Sequence, residues 1–161
     1  VKMEGGEWLA ETVEVLTRNG IPVCVHLSLT PQSVHVFGGY KLQAKTRESA
    51  DQLIADCKAV VEAGAAVLLL ECVPAQMGKE IAELFPHVPV IGIGAGADTD
   101  GQVLVVQDML GLTFGKVARF VRNFMKEQAG ETAIVDAFKA YHIAVQEQSF
   151  PAKEHTFQVE L

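Results

Sequence analysis

No apolar run in these 161 residues approaches the ~18 that a membrane-spanning helix needs, so no span is read from the sequence. A basic stretch leading into an apolar one is also missing at the start, so no secretory signal is expected. Cationic residues are few: 13 Lys and Arg stand against 20 Asp and Glu, a net charge of −7. They do not cluster, which removes nucleic acid and anionic membrane from the expected partners. Cysteine is scarce and odd in number. Cys24, Cys57 and Cys72 lie in apolar or helical settings and read as reduced thiols of a cytoplasmic protein, not as a disulfide framework. His35, His87, His142 and His155 have no HxH or HxxxH partners, which excludes the common zinc motifs. Asp98 and Asp100 in "GADTDG" lack EF-hand spacing, and a loop Asx-turn is the expected role.

What is present is an apolar fraction of 49%, enough for the core of one domain, arranged as alternating strand and helix patterns. Residues 1–3 read as a strand that opens abruptly at Val1, which suggests a piece of a longer polypeptide. "GGEWLAETVEVLTRNG" reads as a helix, with Trp8, Leu9, Thr12, Val13 and Leu16 on its apolar face and Gly20 as its stop. "IPVCVHL" is the next strand. "TRESADQLIADCKAVVEAG" is a helix capped by Thr46 and stopped at Gly64. "AAVLLLE" is a strand, "PAQMGKEIAELF" a helix with Pro74 at or near its first turn, "VPVIGIGAG" a strand and "GQVLVV" a further one. "GKVARFVRNFMKEQ" and "ETAIVDAFKAYHIAVQEQ" are expected to be helical, and "PAKEHTFQVEL" to be an irregular tail.

Three joints, "NGIPVCVH", "AGAAVLLLE" and "PHVPVIGIG", run from a helix end through a tight turn into a buried strand. That is the pattern of parallel βα units. Two architectures fit it: a doubly wound, flavodoxin-like open sheet of five strands, or part of a (βα)8 barrel, which takes ~250 residues when complete.

Functional groups in parallel α/β folds gather where the strands end. Lys2 and Glu4, two apart, project from one face of their strand; "PVCVH" ends in His26, and "VLLLE" in Glu71. Neighbouring parallel strands would bring all four to one mouth. A carboxylate shielded there would have a raised pKa and act as a general base. Each residue also has a plainer explanation. Glu71 would cap the following helix, His26 would be a satisfied core histidine, and Lys2 with Glu4 an ion pair. "GIGAG" lets a ligand approach the backbone but lacks the last spacing of a dinucleotide fingerprint. Cys72 would point away from Glu71 on a strand, and Tyr40 lies on a long connection, 28–45, of the kind that forms lids.

"VKMEGGEW", "HLSLTPQSVHVFGGYK", "LLLECVP" and "IGIGAG" followed by "TDGQVLV" resemble the ketopantoate hydroxymethyltransferase family over residues 1–157. Ser28 stands where that family usually has Gly, and Ala118 where Pro is expected. The resemblance implies a (βα)8 barrel, of which 1–161 would supply roughly strands 4–8 as the C-terminal part, the first three βα units being absent. It implies hydroxymethyl transfer from 5,10-methylenetetrahydrofolate to 3-methyl-2-oxobutanoate, giving ketopantoate for pantothenate synthesis, with Mg²⁺ and in a homo-oligomer, usually a decamer. It also implies Glu71 as proton acceptor, Lys2 and His26 as substrate-binding residues and Glu4 as a metal-site carboxylate. The other metal ligands, two aspartates, would lie outside this chain, so the segment alone is expected to be inactive. Two further readings stand beside this one: a flavodoxin-like binding domain using "GIGAG" for a phosphate, and a non-catalytic segment that assembles with its own copies.

Overall fold

The computed structural model describes residues 1–159. Five strands, β1 (Lys2–Glu4), β2 (Cys24–Ser28), β3 (Val67–Glu71), β4 (Val90–Ile93) and β5 (Gly101–Gln102), form one sheet. Every neighbouring pair is parallel, and the spatial order is the chain order, β1 to β5. A flavodoxin-like sheet reverses its order at a switch point; this one does not, which corrects that alternative.

The helices follow from local signals. A single 3₁₀ turn, Glu7–Leu9, leads into α1 (Ala10–Arg18). Leu9 and Val13 are buried as the spacing predicts, but Trp8 is 71% exposed and is not part of the apolar face. In α2 (Arg47–Glu62), Thr46 and Ser49 form a reciprocal capping box that satisfies orphan amides of the first turn. Pro74 is the N-cap of α3 (Ala75–Leu84), and no side chain caps that helix. Glu71 is therefore not a helix cap.

Successive crossovers of one hand that always move to the next strand leave their helices on one face. The packing agrees. Val13 of α1, Leu53 and Val60 of α2, and Met77 and Ile81 of α3 share one core with Val25, Leu27, Leu68, Leu70 and Val90 of the strands. The other face carries the alternate residues. One row across it is Glu4, His26, Leu69 and Ile91; one pleat further toward the strand ends it is Ser28, Glu71 and Ile93.

The later part departs from expectation. Residues 115–128 form irregular backbone with bends and short turns, not a helix. Phe120 is buried with Leu29, Cys72 and Ile93, whereas Phe124 is buried with Met109 and Ala137. A helix would put positions four apart on one face, and these two serve different clusters. The chain forms a short helix, α4 (Val106–Met109), and then α5 (Ala133–Gln146), the expected final helix. Asp100 makes no Asx-turn contribution of note; its carboxylate accepts the Val90 amide at 2.8 Å and braces the start of β4. No helix among the described residues is long and apolar enough to cross a membrane.

Candidate active site

Glu4, His26 and Glu71 come together because they sit on one face of three adjacent parallel strands. Lys2 Nζ is 2.9 Å from Glu4 Oε1. His26 lies between the two acids, Nδ1 3.7 Å from Glu4 Oε1 and Nε2 3.2 Å from Glu71 Oε2. The second contact is short, yet the ring N–H is not directed at the oxygen, so neither ring nitrogen has a hydrogen-bond partner. At 3% exposure, His26 is buried with both nitrogens unsatisfied, unlike the satisfied core histidine of the plainer reading. Glu71 is also buried and Lys2 half exposed.

Burial is the largest influence on Glu4 and pushes its pKa up. The Gln32 amide, which donates to Oε2 at 2.9 Å, together with Lys2 and His26, outweighs burial and holds the carboxyl below its usual range. Burial, aided by the Glu71 charge, pushes the Cys72 thiol up to about 11, so Cys72 is not an activated nucleophile.

Sequence reading overlooked Ser28. Its φ of +71° is the left-handed region that glycine adopts without strain, which explains why Ser is unusual there. The hydroxyl accepts the Glu71 amide at 3.0 Å and donates to the Glu71 carbonyl at 2.7 Å, and the Leu29 amide meets the same carbonyl at 3.2 Å. The backbone of Glu71 is thereby pinned to β2. The one advance signal was the departure from Gly in "HLSLTPQ".

The glycines of "GIGAG" do not leave room for a ligand. Gly94, at φ +65°, has the Phe120 ring only 2.5 Å from where a Cβ would stand, and Ala75 crowds Gly96 in the same way. The chain itself fills that approach. A cavity of about 640 Å³ instead adjoins the β1 and β2 strand ends, lined by Gly5, Trp8, Ser28, Thr30, Phe37 and Asp56 among others. Tyr40 is exposed on the long connection beyond it.

Among the described residues, no group of three or more His, Cys, Asp or Glu side chains is placed to hold a metal ion. Glu4 supplies one carboxylate, its oxygens now met by Lys2 and Gln32. That fits one position in the shell of Mg²⁺, which keeps several waters and binds through one or two carboxylates plus substrate. One carboxylate does not make a site.

A family model described as Ketopantoate hydroxymethyltransferase matches residues 1–153. The chain belongs to that family. It is 86% identical over 161 residues to the 3-methyl-2-oxobutanoate hydroxymethyltransferase of Acinetobacter baumannii (strain AYE), covering all of this chain and 60% of that protein. The protein of the same name from Chromohalobacter salexigens is 53% identical over 157 residues, covering 98% of this chain and 58% of that protein. The chain thus spans about 60% of the length of these curated relatives.

Proposed function

We propose that the whole protein containing this chain transfers a hydroxymethyl group from 5,10-methylenetetrahydrofolate to 3-methyl-2-oxobutanoate, giving ketopantoate, and that Glu71 is its general base. The observation that carries this reading is the buried Glu71, pinned by Ser28 at a strand end and continuous through His26 and Glu4 with Lys2. Relatives bearing the name of that substrate support it.

The chemistry follows from the order of these groups. Lys2 offers a cation to the oxoacid carboxylate. Glu71 takes the proton from C3, and the bonding pair moves into C2=C3 with negative charge on the ketone oxygen. Water opens the N–CH2–N bridge of the folate, both C–N bonds breaking to leave tetrahydrofolate and formaldehyde. C3 then bonds to the formaldehyde carbon, the C=O pair moves to its oxygen, and that oxygen takes the proton held by Glu71 to become the new hydroxyl. Burial of Glu71 keeps bulk water from the carbanionic carbon. His26 lies between the acids and would offer a ring N–H to bound substrate. Glu4 would be one ligand of Mg²⁺, which when bound supplies Lewis-acid stabilisation of the charge on the ketone oxygen.

We further place the sheet as roughly strands 4–8 of a (βα)8 barrel. Unreversed order and the packing of α1, α2 and α3 on one face support this. The exposed Ile134, Val135, Phe138 and Ile143 of α5 are consistent with a homo-oligomer.

The test is an assay of the whole protein for ketopantoate formation with 3-methyl-2-oxobutanoate, methylenetetrahydrofolate and Mg²⁺. Product above background supports the reading; folded protein with no turnover contradicts it.

A further inference from the structure

Glu71 stands on a boundary. Toward β1 its surroundings are polar: His26, Glu4 and Lys2. Toward β4 they are apolar. Its register partner there is Ile93, and Leu69 lies two residues earlier on the same face. Leu69, Ile93 and Phe120 belong to one apolar cluster, separate from the core in which Leu68 and Leu70 pack against the helices. Ile93 and Phe120 are buried, while Leu69 remains partly exposed.

Such an asymmetric site sorts the two ends of a small oxoacid. A substrate whose carboxylate meets Lys2 and whose C3–H meets Glu71 has its C3 methyl groups beside β3 and β4. Apolar surface there removes the methyls from water, which the polar side cannot do without leaving its own groups unpaired. Resting on the function proposed above, we infer that Leu69, backed by Ile93 and Phe120, is the wall that receives the hydrocarbon end of the oxoacid and sets the size accepted.

The experiment compares kcat/KM of the whole protein on 3-methyl-2-oxobutanoate and on 3-methyl-2-oxopentanoate, which is longer by one methylene. One methylene in an apolar pocket is discriminated by ~10–200-fold. Leu69→Ala and Ile93→Val should each move the ratio toward the larger acid by ~10-fold, within that range. Leu70→Ala, on the helix-facing side, should lower thermal stability and leave the ratio unchanged. Ratios within twofold of wild type in both wall variants, by the same scale, would overturn the assignment. So would an equal shift in Leu70→Ala, which would mean general loosening. Ile93→Val removes only one methyl and decides the matter alone if Leu69→Ala does not fold. If the wild-type protein acts on neither acid, the proposed function itself has failed and the wall falls with it; activity with an unmoved ratio defeats the wall alone.

Discussion

The Nε2 atom of His26 lies 3.2 Å from Oε2 of Glu71, across the junction of β2 and β3 and almost out of reach of solvent. A buried imidazole against a buried carboxylate is expensive to keep unless something else completes the arrangement. Here neither ring nitrogen has a hydrogen-bond partner, and Glu4, itself paired with Lys2, stands 3.7 Å from Nδ1. A substrate bearing oxygen atoms would supply what the folded chain leaves unmet.

Lys2→Ala should weaken oxoacid binding with little change in kcat. A hydrogen bond to a charged group contributes ~1.5–3 kcal/mol, so KM should rise ~10–100-fold. Steady-state kinetics of the whole protein decide it; an unchanged KM would remove Lys2 from the substrate site.

Glu4→Ala should raise the Mg²⁺ concentration needed for half-maximal activity. Lys2 would also lose its 2.9 Å partner, so Lys2→Ala should be measured beside it. A metal titration indistinguishable from wild type would exclude Glu4 as a ligand.

His155 predicts a pH effect on the C-terminal tail. Burial, the largest influence, lowers its pKa below the ordinary 6.5, Glu154 opposes this and Arg122 adds to it. Neutral Nδ1 accepts the Ala152 amide at 3.1 Å. Because the folded pKa is depressed, the contribution is complete above 6.5 and is lost as pH falls through the folded value. The protection of the Ala152 amide, its exchange rate taken relative to that of the unfolded chain at the same pH, should fall below that range. Protection that does not change between pH 7 and pH 5, about the span over which a histidine charges, would contradict the assignment.

Leu70→Ala removes a fully buried side chain from the sheet–helix core. Comparable truncations cost ~2–5 kcal/mol. Denaturant unfolding should show a loss of that order, and a loss within the scatter of surface substitutions would mean the core is misplaced.

Much of this arrangement was legible in the residues. "TRESADQ" announces a capped helix, and the capping box is there. "VLLLE" reads as a doubly covered strand ending in an acid, and β3 ends at Glu71. Convergence of Lys2, Glu4, His26 and Glu71 follows once the strands are parallel neighbours, because alternation puts them on one face. Residues 115–128 misled because their apolar spacing is helical while their partners are two separate clusters, a tertiary fact invisible to a local pattern. Ser28 was unreadable as a brace for a related reason. Its hydroxyl acts on a residue 43 positions away, and its left-handed backbone is set by the strand end and not by its own preference.

The general-base role of Glu71 is tested most directly by hydrogen–deuterium exchange at C3 of 3-methyl-2-oxobutanoate, with Mg²⁺ and without folate, in the whole protein and its Glu71→Gln variant. The amide keeps the shape of the side chain but cannot take the proton. Exchange should fall by ~10²–10⁴, the usual cost of losing a general base, while oxoacid binding and thermal stability stay near wild type. Exchange at the wild-type rate in a folded Glu71→Gln protein would contradict the account.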